Sequence, residues 1–256
     1  MSHNAPVAAT RLRRVSIVET SILFVAALAW LLAVAMARDM GVMAGTMGLG
    51  LFGFVGTWAL MMAAMMLPTI VPFTSLYSRT FTGHRGHRVG LLAAGYVAVW
   101  AVTGFVAFGF AAAAGRLADR APGWAQGVAV GSCFGCGLYQ MTPVKDRCLQ
   151  HCRSPLGHLL RYASFRGRLA DARVGLSHGA WCLACCWALM MLLVTFGVMN
   201  LFAMVVLAAV ILVEKVVAPG RWFSVAVGAA ACALGVAIWI NPSLAPGLHS
   251  NTVMGM

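Results

Sequence analysis

Charged residues are scarce in this sequence. Aspartate, glutamate, lysine and arginine together make up 9% of the 256 residues, whereas soluble globular proteins contain about a quarter. Only six of the residues are acidic, while hydrophobic residues account for 61%. This composition excludes an ordinary water-soluble domain. The solvent around most of the chain is therefore lipid.

The motifs of hydrolytic enzymes and ATP-driven pumps are also missing. The sequence contains no Walker-type phosphate loop, no nucleophile elbow and no His-Glu-x-x-His motif. Any transport would then be passive, ion-coupled or driven by a partner. No Cys-x-x-Cys-His haem signature occurs either, although a haem held by His178 or a methionine stays open. Enzymatic activity is not expected, with thiol redox chemistry as the exception discussed below.

Long apolar runs recur along the chain instead. A bilayer core needs about 20 apolar residues per helix, and uniform runs favour helices over a barrel of alternating strands. The sequence predicts an all-α, polytopic transmembrane bundle that forms a single membrane domain over residues 1–256, with its transmembrane region at 17–240. The short segment Gly197–Asn200 predicts a tight helical hairpin. The seven predicted spans are Ile17–Ala37, Leu51–Phe73, Val89–Gly115, Trp124–Pro143, Ala180–Phe196, Val198–Val216 and Trp222–Ile240.

The basic residues predict the orientation of this bundle. With the N-terminus inside and the C-terminus outside, only Arg38, Arg116 and Arg120 of the 18 lysines and arginines fall in outer segments. Such an imbalance is the positive-inside bias of a multi-pass membrane protein. The net charge of +12 then suits anionic lipid headgroups, and no recognised module accompanies it that would bind nucleic acid. The longest inner segment, Val144–Gly179, is predicted to be a basic cytoplasmic loop with short interfacial helices.

Small residues predict where one span packs closely. Gly127, Gly131 and Gly135 recur at four-residue spacing in the fourth span. In membrane helices such a stripe lets two backbones approach each other. We therefore expect this face to contact a neighbouring helix.

Thiols concentrate in one part of the chain, since seven of the eight cysteines lie between Cys133 and Cys186. At 100° per residue, the histidine and the cysteines of the fifth span share about a third of the helix circumference. Cysteines of the fourth span form a second stripe, and those of the following segment share a face if it is helical. Cys232 is remote in sequence and is assigned to packing. The candidate metal ligands are His178, Cys182, Cys185 and Cys186; Cys133 and Cys136; and Cys148, His151 and Cys152.

The donor types indicate a soft metal. Thiolates favour copper(I), zinc or iron–sulfur clusters over magnesium or calcium, and cysteines on the cytoplasmic side are kept reduced, which favours metal binding over disulfides. Copper(I) is the preferred ion. Zinc is the alternative, weakened by the lack of a second, separated cysteine pair. Ordinary packing of small apolar side chains stays open for each thiol.

Methionines and two polar residues complete the candidates. A broad face of the second span carries Met61, Met62, Met65 and Met66; their thioethers would suit copper(I), or they fill gaps in the core. Further methionines follow the first span and occupy the C-terminal tail with a histidine, namely Met36, Met40, Met43, Met47, Met254, Met256 and His249. Asn200 and Glu214 share a face of the sixth span. Glu214 is a candidate because ionisable groups at membrane depth tend to be functional, although an ion pair near the interface would also account for it.

Three motifs resemble a known bacterial family. They are "TWALMMAAMMLPTIVPF" (Thr57–Phe73), "GLYQMTPVKDRCLQHCRSPLG" (Gly137–Gly157) and "HGAWCLACCWALMMLLVTFGVMNLFAMVVLAAVILVEK" (His178–Lys215). Together they resemble the predicted metal-binding integral membrane proteins over about Leu51–Arg221. The resemblance implies a polytopic inner-membrane protein with a metal site at the matching residues, which are Met61, Met62, Met65, Met66, Cys148, Cys152, His178, Cys182, Cys185, Cys186, Asn200 and Glu214.

Three functions are consistent with this sequence. The first is a soft-metal-binding protein, preferably for copper(I), that transports the ion or delivers it to a membrane metalloenzyme. The second is an accessory subunit of a larger respiratory or photosynthetic membrane complex. The third is a thiol redox protein that uses Cys182 and Cys185 as a Cys-x-x-Cys pair, although no thioredoxin-like pattern accompanies it.

Overall fold

The computed structural model describes residues 17–40, 45–80, 84–154, 169–217 and 219–245, together with residues 157, 162, 165 and 167. All regular secondary structure in these ranges is helical, which confirms the all-α class. The helices are α1 (Ile17–Met40), α2 (Leu51–Ser78), α3 (Arg85–Arg120), α4 (Pro122–Met141), α5 (Pro143–Arg153), α6 (Ala170–Phe196), α7 (Leu201–Leu212), which continues into a π-helical segment (Val213–Val217), and α8 (Arg221–Ile240), followed by a 3₁₀ turn (Pro242–Leu244).

Five helices of the described part are long and apolar enough to cross a membrane, namely α1, α2, α3, α6 and α8. The other two predicted spans do not reach this standard. Helix α4 contains Gln126 and Gln140 and is rich in glycine, which lowers its hydropathy. Helix α7 has only 12 residues before the backbone changes to the π form at Val213. The predicted helices therefore exist, but two of them are weaker spans than their apolar runs indicate.

A corner at Thr142 and Pro143 separates α4 from α5. Thr142 has an extended backbone, as residues before proline do, and this ends α4. Its side chain then accepts a hydrogen bond from the Lys145 amide at 3.3 Å, while Pro143 occupies the first helical position. Asp146 in the first turn and Arg153 in the last turn suit the dipole of α5. One residue thus ends one helix and begins the next.

The predicted cytoplasmic loop Val144–Gly179 is largely helical at both ends. Its first part is α5, and its last ten residues belong to α6, which begins at Ala170. Helix α6 therefore begins ten residues before the predicted fifth span. Asp171, in its first turn, accepts hydrogen bonds from Arg88 of α3, whose Nε lies 3.1 Å from each carboxylate oxygen, and from Tyr77 of α2.

The predicted hairpin at Gly197–Asn200 is present. Helix α6 ends at Gly197, whose φ of 93° lies in the left-handed region that glycine tolerates. Asn200 then caps α7, because its side-chain oxygen accepts a hydrogen bond from the Ala203 amide at 3.1 Å. Its side-chain NH₂ donates to the Phe196 carbonyl at 3.1 Å. This geometry gives Asn200 a structural role in the turn.

Glycines bring two helix pairs into close contact, but not the glycines that were predicted. A Cβ on Gly95 of α3 would collide with the Ala172 carbonyl of α6, and a Cβ on Gly175 with the Leu92 carbonyl. Helices α4 and α8 approach in the same way at Gly137 and Gly228. The stripe of Gly127, Gly131 and Gly135 is exposed and has open space beside it. Spacing revealed a small-residue face without revealing which way it points.

The core lies where α2, α3 and α6 meet. Helix α2 packs against α1 and α3, α3 packs along α6, and α4 packs along α8. Among the five membrane-length helices, α2 and α6 have the largest buried share. The thiol-bearing face of α6 therefore points into protein and not towards lipid.

Candidate metal centre

Three thiols of α6 form one buried face. Cys182, Cys185 and Cys186 are each 1% exposed, and their i, i+3, i+4 spacing places them on the same side of the helix. The thiols of Cys185 and Cys186 donate hydrogen bonds to the Cys182 carbonyl at 3.1 and 2.9 Å. The sequence therefore predicted this face correctly as one that points inward.

A fourth thiol reaches this face from α5. The Sγ atoms of Cys152 and Cys185 are 3.7 Å apart. Two sulfurs about 2.3 Å from one metal ion would be about 3.8 Å apart at a tetrahedral angle and about 4.6 Å apart in a linear arrangement. The pair can therefore hold one soft ion after a side-chain adjustment of less than about 1 Å. The corner at Thr142 and Pro143 makes this possible because it turns α5 back towards α6.

Lys215 and Tyr96 enclose the thiols. The Lys215 Nζ lies 2.5 Å from the Cys182 Sγ and 3.8 Å from the Cys186 Sγ. The Tyr96 hydroxyl lies 2.8 Å from the Cys182 Sγ. Both residues are buried. The four thiols Cys152, Cys182, Cys185 and Cys186, with Lys215 and Tyr96, are called the thiol site below.

The backbone of the π segment explains how a lysine reaches this place. Single π turns within helices occur frequently at functional sites, and this one carries Glu214 and Lys215 side by side. Glu214 is 1% exposed and Lys215 is 9% exposed, so both charged side chains point into the protein. Lys215 turns towards α6, while Glu214 turns towards α4 and α5.

Glu214 is the centre of a buried polar network. The Lys145 Nζ donates to both of its carboxylate oxygens, at 2.8 and 2.7 Å, and also to the side-chain oxygen of Gln140. Ser224 and Gln140 donate to the Glu214 Oε1 at 2.9 and 3.2 Å. Arg153 donates to the Glu214 backbone carbonyl at 2.8 Å. Because a buried carboxylate needs such partners, Glu214 holds α4, α5 and α8 together.

A second group of thiols lies on the other side of the Glu214 network. Cys133 and Cys136 of α4 are buried, and Cys232 of α8 faces Gly137 where these helices approach most closely. The charged neighbours of Cys136 include Lys145 and Glu214. Cys232 is therefore close to these two cysteines in space, although it is remote from them in sequence. Close packing of α4 on α8 is the role that these contacts demonstrate.

The methionines of α2 are buried in the core. Met61, Met62 and Met66 have no exposed surface and Met65 is 2% exposed. One turn further, Thr69 lies within hydrogen-bonding reach of Tyr96, which contacts Cys182. The stripe thus ends next to the thiol site. Among the outer methionines Met47 is buried and Met36 half-buried, while Met43, His249, Met254, Met256 and the Met40 side chain lie outside the described residues.

The two candidate histidines lie against aromatic rings. His178 stacks on Phe73 with 4.5 Å between ring centroids and an interplanar angle of 6°. His151 stacks on Trp181 at 4.0 Å. His178 lies one helical turn before Cys182, and His151 directly precedes Cys152 in the chain.

Cys148 completes the candidate set on α5. It is buried, and Cys185 lies near it. Burial raises the pKa of the Cys148 thiol. Hydrogen bonding to Cys185, and then burial, raise the pKa of the Cys152 thiol. Since a soft metal binds the thiolate, binding at these cysteines must release protons.

The thiol site contains one close pair of sulfurs and two further thiols, and these do not form a closed set of metal ligands. Within the described ranges, no three histidine, cysteine, aspartate or glutamate side chains are arranged to hold one metal ion together. Cys152 and Cys185 form the close sulfur pair, whereas Cys182 and Cys186 contact Lys215. This arrangement suits an ion that accepts few sulfur ligands.

Sequence reasoning missed Lys145, Lys215 and Tyr96. Both lysines were counted among the positive charges of inner segments. A signal was present for Lys215, because the Glu-Lys pair interrupts the apolar run "AAVILVEKVVA", and charged residues within such runs tend to be functional. No comparable signal marked Lys145, which lies in a polar segment.

A family model described as PpoB2, copper chaperone, matches residues 55–238. The chain belongs to this family. The match covers α3 to α7, most of α2 and α8, and all the cysteines described above. It confirms the resemblance to metal-binding membrane proteins and supports copper as the metal, whereas zinc and haem receive no support from it. No curated protein and no solved structure matches the chain.

Proposed function

We propose that this protein is a copper(I) chaperone of the bacterial inner membrane, which holds the ion at the thiol site and delivers it to a membrane metalloenzyme. The observation that carries the proposal is the sulfur pair of half-buried Cys152 and buried Cys185, 3.7 Å apart and beside two further buried thiols. Soft sulfur donors in an apolar setting favour copper(I) over the harder divalent ions.

Delivery is favoured over pumping by two features. The chain has no nucleotide-binding motif that could drive transport. One of the paired sulfurs comes from the short α5 helix, outside the five membrane-length helices, so the pair lies between a membrane helix and a peripheral one. A ligand pair in that position suits exchange of the ion with a partner that approaches from the side of α5.

The methionines of α2 provide a second set of soft donors. Met65 and Met66 lie one helical turn before Thr69, which is within reach of Tyr96 at the thiol site. Neutral thioethers bind copper(I) without releasing a proton, whereas thiols must lose theirs. We infer that the methionines give copper(I) a path towards the thiols. Changing Met65 and Met66 to leucine should then slow the uptake of copper(I) and leave its equilibrium affinity at the thiol site unchanged.

Titration with copper(I) against a colorimetric chelator tests the binding step. The purified protein in detergent should bind copper(I), and the Cys182/Cys185/Cys186→Ser triple variant should bind it at least about 100-fold more weakly, since even the loss of supporting groups around a metal costs 10- to 100-fold. The Cys133/Cys136/Cys232→Ser variant is a matched control, because it removes the three thiols of the second group, two buried and one half-buried. Equal binding by the wild type and the first variant would remove the basis of the proposal.

Proteoliposomes distinguish delivery from transport. Vesicles that contain the protein and enclose a copper(I)-sensitive dye should show no copper flux above empty vesicles. The copper-loaded protein should meanwhile transfer its ion to a membrane metalloenzyme that has been stripped of copper. Dye quenching that depends on Cys185 would favour transport instead. Stable co-purification with a membrane complex in the absence of copper would favour an accessory subunit.

Thiol redox chemistry is the second candidate function, and the same sulfur pair favours it. The predicted redox pair was Cys182 and Cys185. The sulfur of Cys185, however, lies 3.7 Å from that of Cys152 on α5, and the Cys185 thiol donates a hydrogen bond to the Cys182 backbone carbonyl. Cys152 therefore replaces Cys182 as the partner of Cys185. Redox titration of the Cys152–Cys185 pair discriminates between the two functions. A pair that cycles at a physiological potential while the protein binds no copper(I) would favour the redox function.

A further inference from the structure

Lys215 has an unusual set of polar neighbours for a buried lysine. Its ammonium lies 2.5 Å from the Cys182 sulfur and 3.8 Å from the Cys186 sulfur, with Cys185 and Tyr96 nearby. The carboxylate next to it in the chain, Glu214, is paired with Lys145 instead. A buried ammonium needs compensation by negative charge. The thiolates that form at this site when a metal ion replaces the thiol protons are the groups placed to provide it.

The position of Lys215 divides the four thiols into two kinds. Cys182 and Cys186 are hydrogen-bonded to the ammonium or close to it, whereas Cys152 and Cys185 face each other. A sulfur that accepts a short hydrogen bond from Lys215 has one less lone pair to donate to a metal. The pair that remains provides two ligands. Zinc requires four ligands in a closed protein site, while copper(I) and silver(I) are satisfied by two.

Charge favours the same ions. One monovalent ion bound by two thiolates has a net charge of −1, and the Lys215 ammonium brings the site to zero. Loading such an ion replaces two thiol protons, which leave to solvent, and no electron is transferred. A divalent ion on the same two thiolates would leave the site at +1 in a medium of low dielectric, where an uncompensated charge is costly.

We propose that Lys215 determines which ion the thiol site accepts: by holding Cys182 and adding one positive charge, it restricts the site to a monovalent soft ion on the Cys152–Cys185 pair. This inference rests on the proposed function, since it concerns the selectivity of the same site. Lys215 acts through the thiols and is a positioning residue. Removing its ammonium frees Cys182 and Cys186 and makes three- or four-sulfur coordination of a divalent ion accessible.

Competition between silver(I) and zinc on the full-length protein in detergent tests the inference. The wild type should bind silver(I) strongly and zinc weakly. In Lys215→Leu, which removes the charge without adding a donor atom, the ratio of zinc to silver(I) affinity should rise by about 10- to 100-fold, the usual range for a group that supports a metal ligand. Lys215→Arg keeps the charge and should keep the wild-type preference. Asn200→Ala is the control: it removes a helix cap away from the thiol site, and the metal ratio should stay unchanged.

X-ray absorption gives a readout that a purely structural role would not alter. Silver(I) on the wild type should show two sulfur neighbours, and zinc on Lys215→Leu should show three or four. An unchanged zinc-to-silver ratio in a folded Lys215→Leu variant would overturn the inference.

The wild-type background keeps the inference testable even if Lys215→Leu does not fold. Silver(I) binding should then be abolished by Cys152→Ser and by Cys185→Ser but survive Cys182→Ser. Loss in Cys182→Ser alone would refute the assignment of ligands. Failure of the wild type to bind any soft ion would instead refute the proposed function, so the two failures are distinguishable.

Discussion

Glu214 and Lys215 are neighbours in the chain, yet their side chains lie in two separate buried polar environments. Glu214 binds the ammonium of Lys145 at 2.7 Å, and Lys215 binds the sulfur of Cys182 at 2.5 Å. The π turn at Val213–Val217 makes this divergence possible within a single helical segment. One backbone irregularity therefore connects the network of α4, α5 and α8 with the thiols of α6.

Removing one partner of the buried Glu214–Lys145 pair should destabilise the protein. Glu214→Gln leaves the Lys145 ammonium buried without a counter-charge, and such changes cost about 3–5 kcal/mol. We expect a lower midpoint of thermal unfolding in detergent. The Lys145→Met/Glu214→Leu double variant should regain much of the loss, because an apolar pair carries no desolvation cost. Additive losses in the double variant would show that the two groups do not interact.

The crossing of α3 and α6 should not tolerate a methyl group. Gly175→Ala places a Cβ against the Leu92 carbonyl, so the helices must separate, and overpacking of this kind costs about 1–3 kcal/mol. Gly131→Ala is the control, since Gly131 is exposed with open space beside it. That change should be neutral or stabilising by about 0.5–1 kcal/mol, as expected for glycine within a helix. Thermal unfolding of the two variants side by side measures the difference.

The sulfurs of Cys152 and Cys185 should be linked by mild oxidation. Their Sγ atoms are 3.7 Å apart, and a disulfide requires about 2.05 Å, so a small rotation of both side chains is enough. With a protease site inserted between residues 154 and 169, oxidised protein should run as one band after cleavage on a non-reducing gel. Cys152→Ser should give two bands, and Cys232→Ser should behave like the wild type. Two bands from oxidised wild type would contradict the proximity of the pair.

Asn200 should matter for stability and not for metal binding. Its side chain caps α7 through the Ala203 amide, and loss of an N-cap costs about 1 kcal/mol. Asn200→Ala should therefore lower the unfolding midpoint while the copper(I) affinity stays constant, whereas Asn200→Asp should retain the cap. A fall in copper(I) affinity at unchanged stability would instead restore Asn200 as a ligand.

The helices could be predicted because lipid imposes a length on apolar runs. The boundaries of α1 and α8 differ from the predicted spans by three residues or fewer at each end. Helix α5 was harder to locate, because a short polar helix is determined by capping at Thr142 and by contacts with Glu214, not by an apolar run. No hydrophobic periodicity in the sequence marked the π segment at Val213–Val217.

The site was predictable only in part, for reasons of direction and distance. Periodicity correctly grouped Cys182, Cys185 and Cys186 on one inward face, since that depends on a single helix. It could not predict that Cys152 would join them or that Lys215 would, because these contacts depend on how helices distant in sequence pack. The exposed stripe at Gly131 failed for the same reason. A helical wheel shows which residues share one face of a helix, but it does not show which other helices pack against that face.

Helix α5 is fastened at both ends by one residue. In its first turn, the Lys145 ammonium forms an ion pair with the Glu214 carboxylate. At its last residue, Arg153 donates a hydrogen bond to the Glu214 backbone carbonyl at 2.8 Å. Cys152 lies between these two anchors. If release of a metal ion requires the sulfur of Cys152 to move outward, one of these two contacts must break first. A partner protein that takes over the hydrogen bond of Arg153 would release the last residue of α5 and so favour this movement.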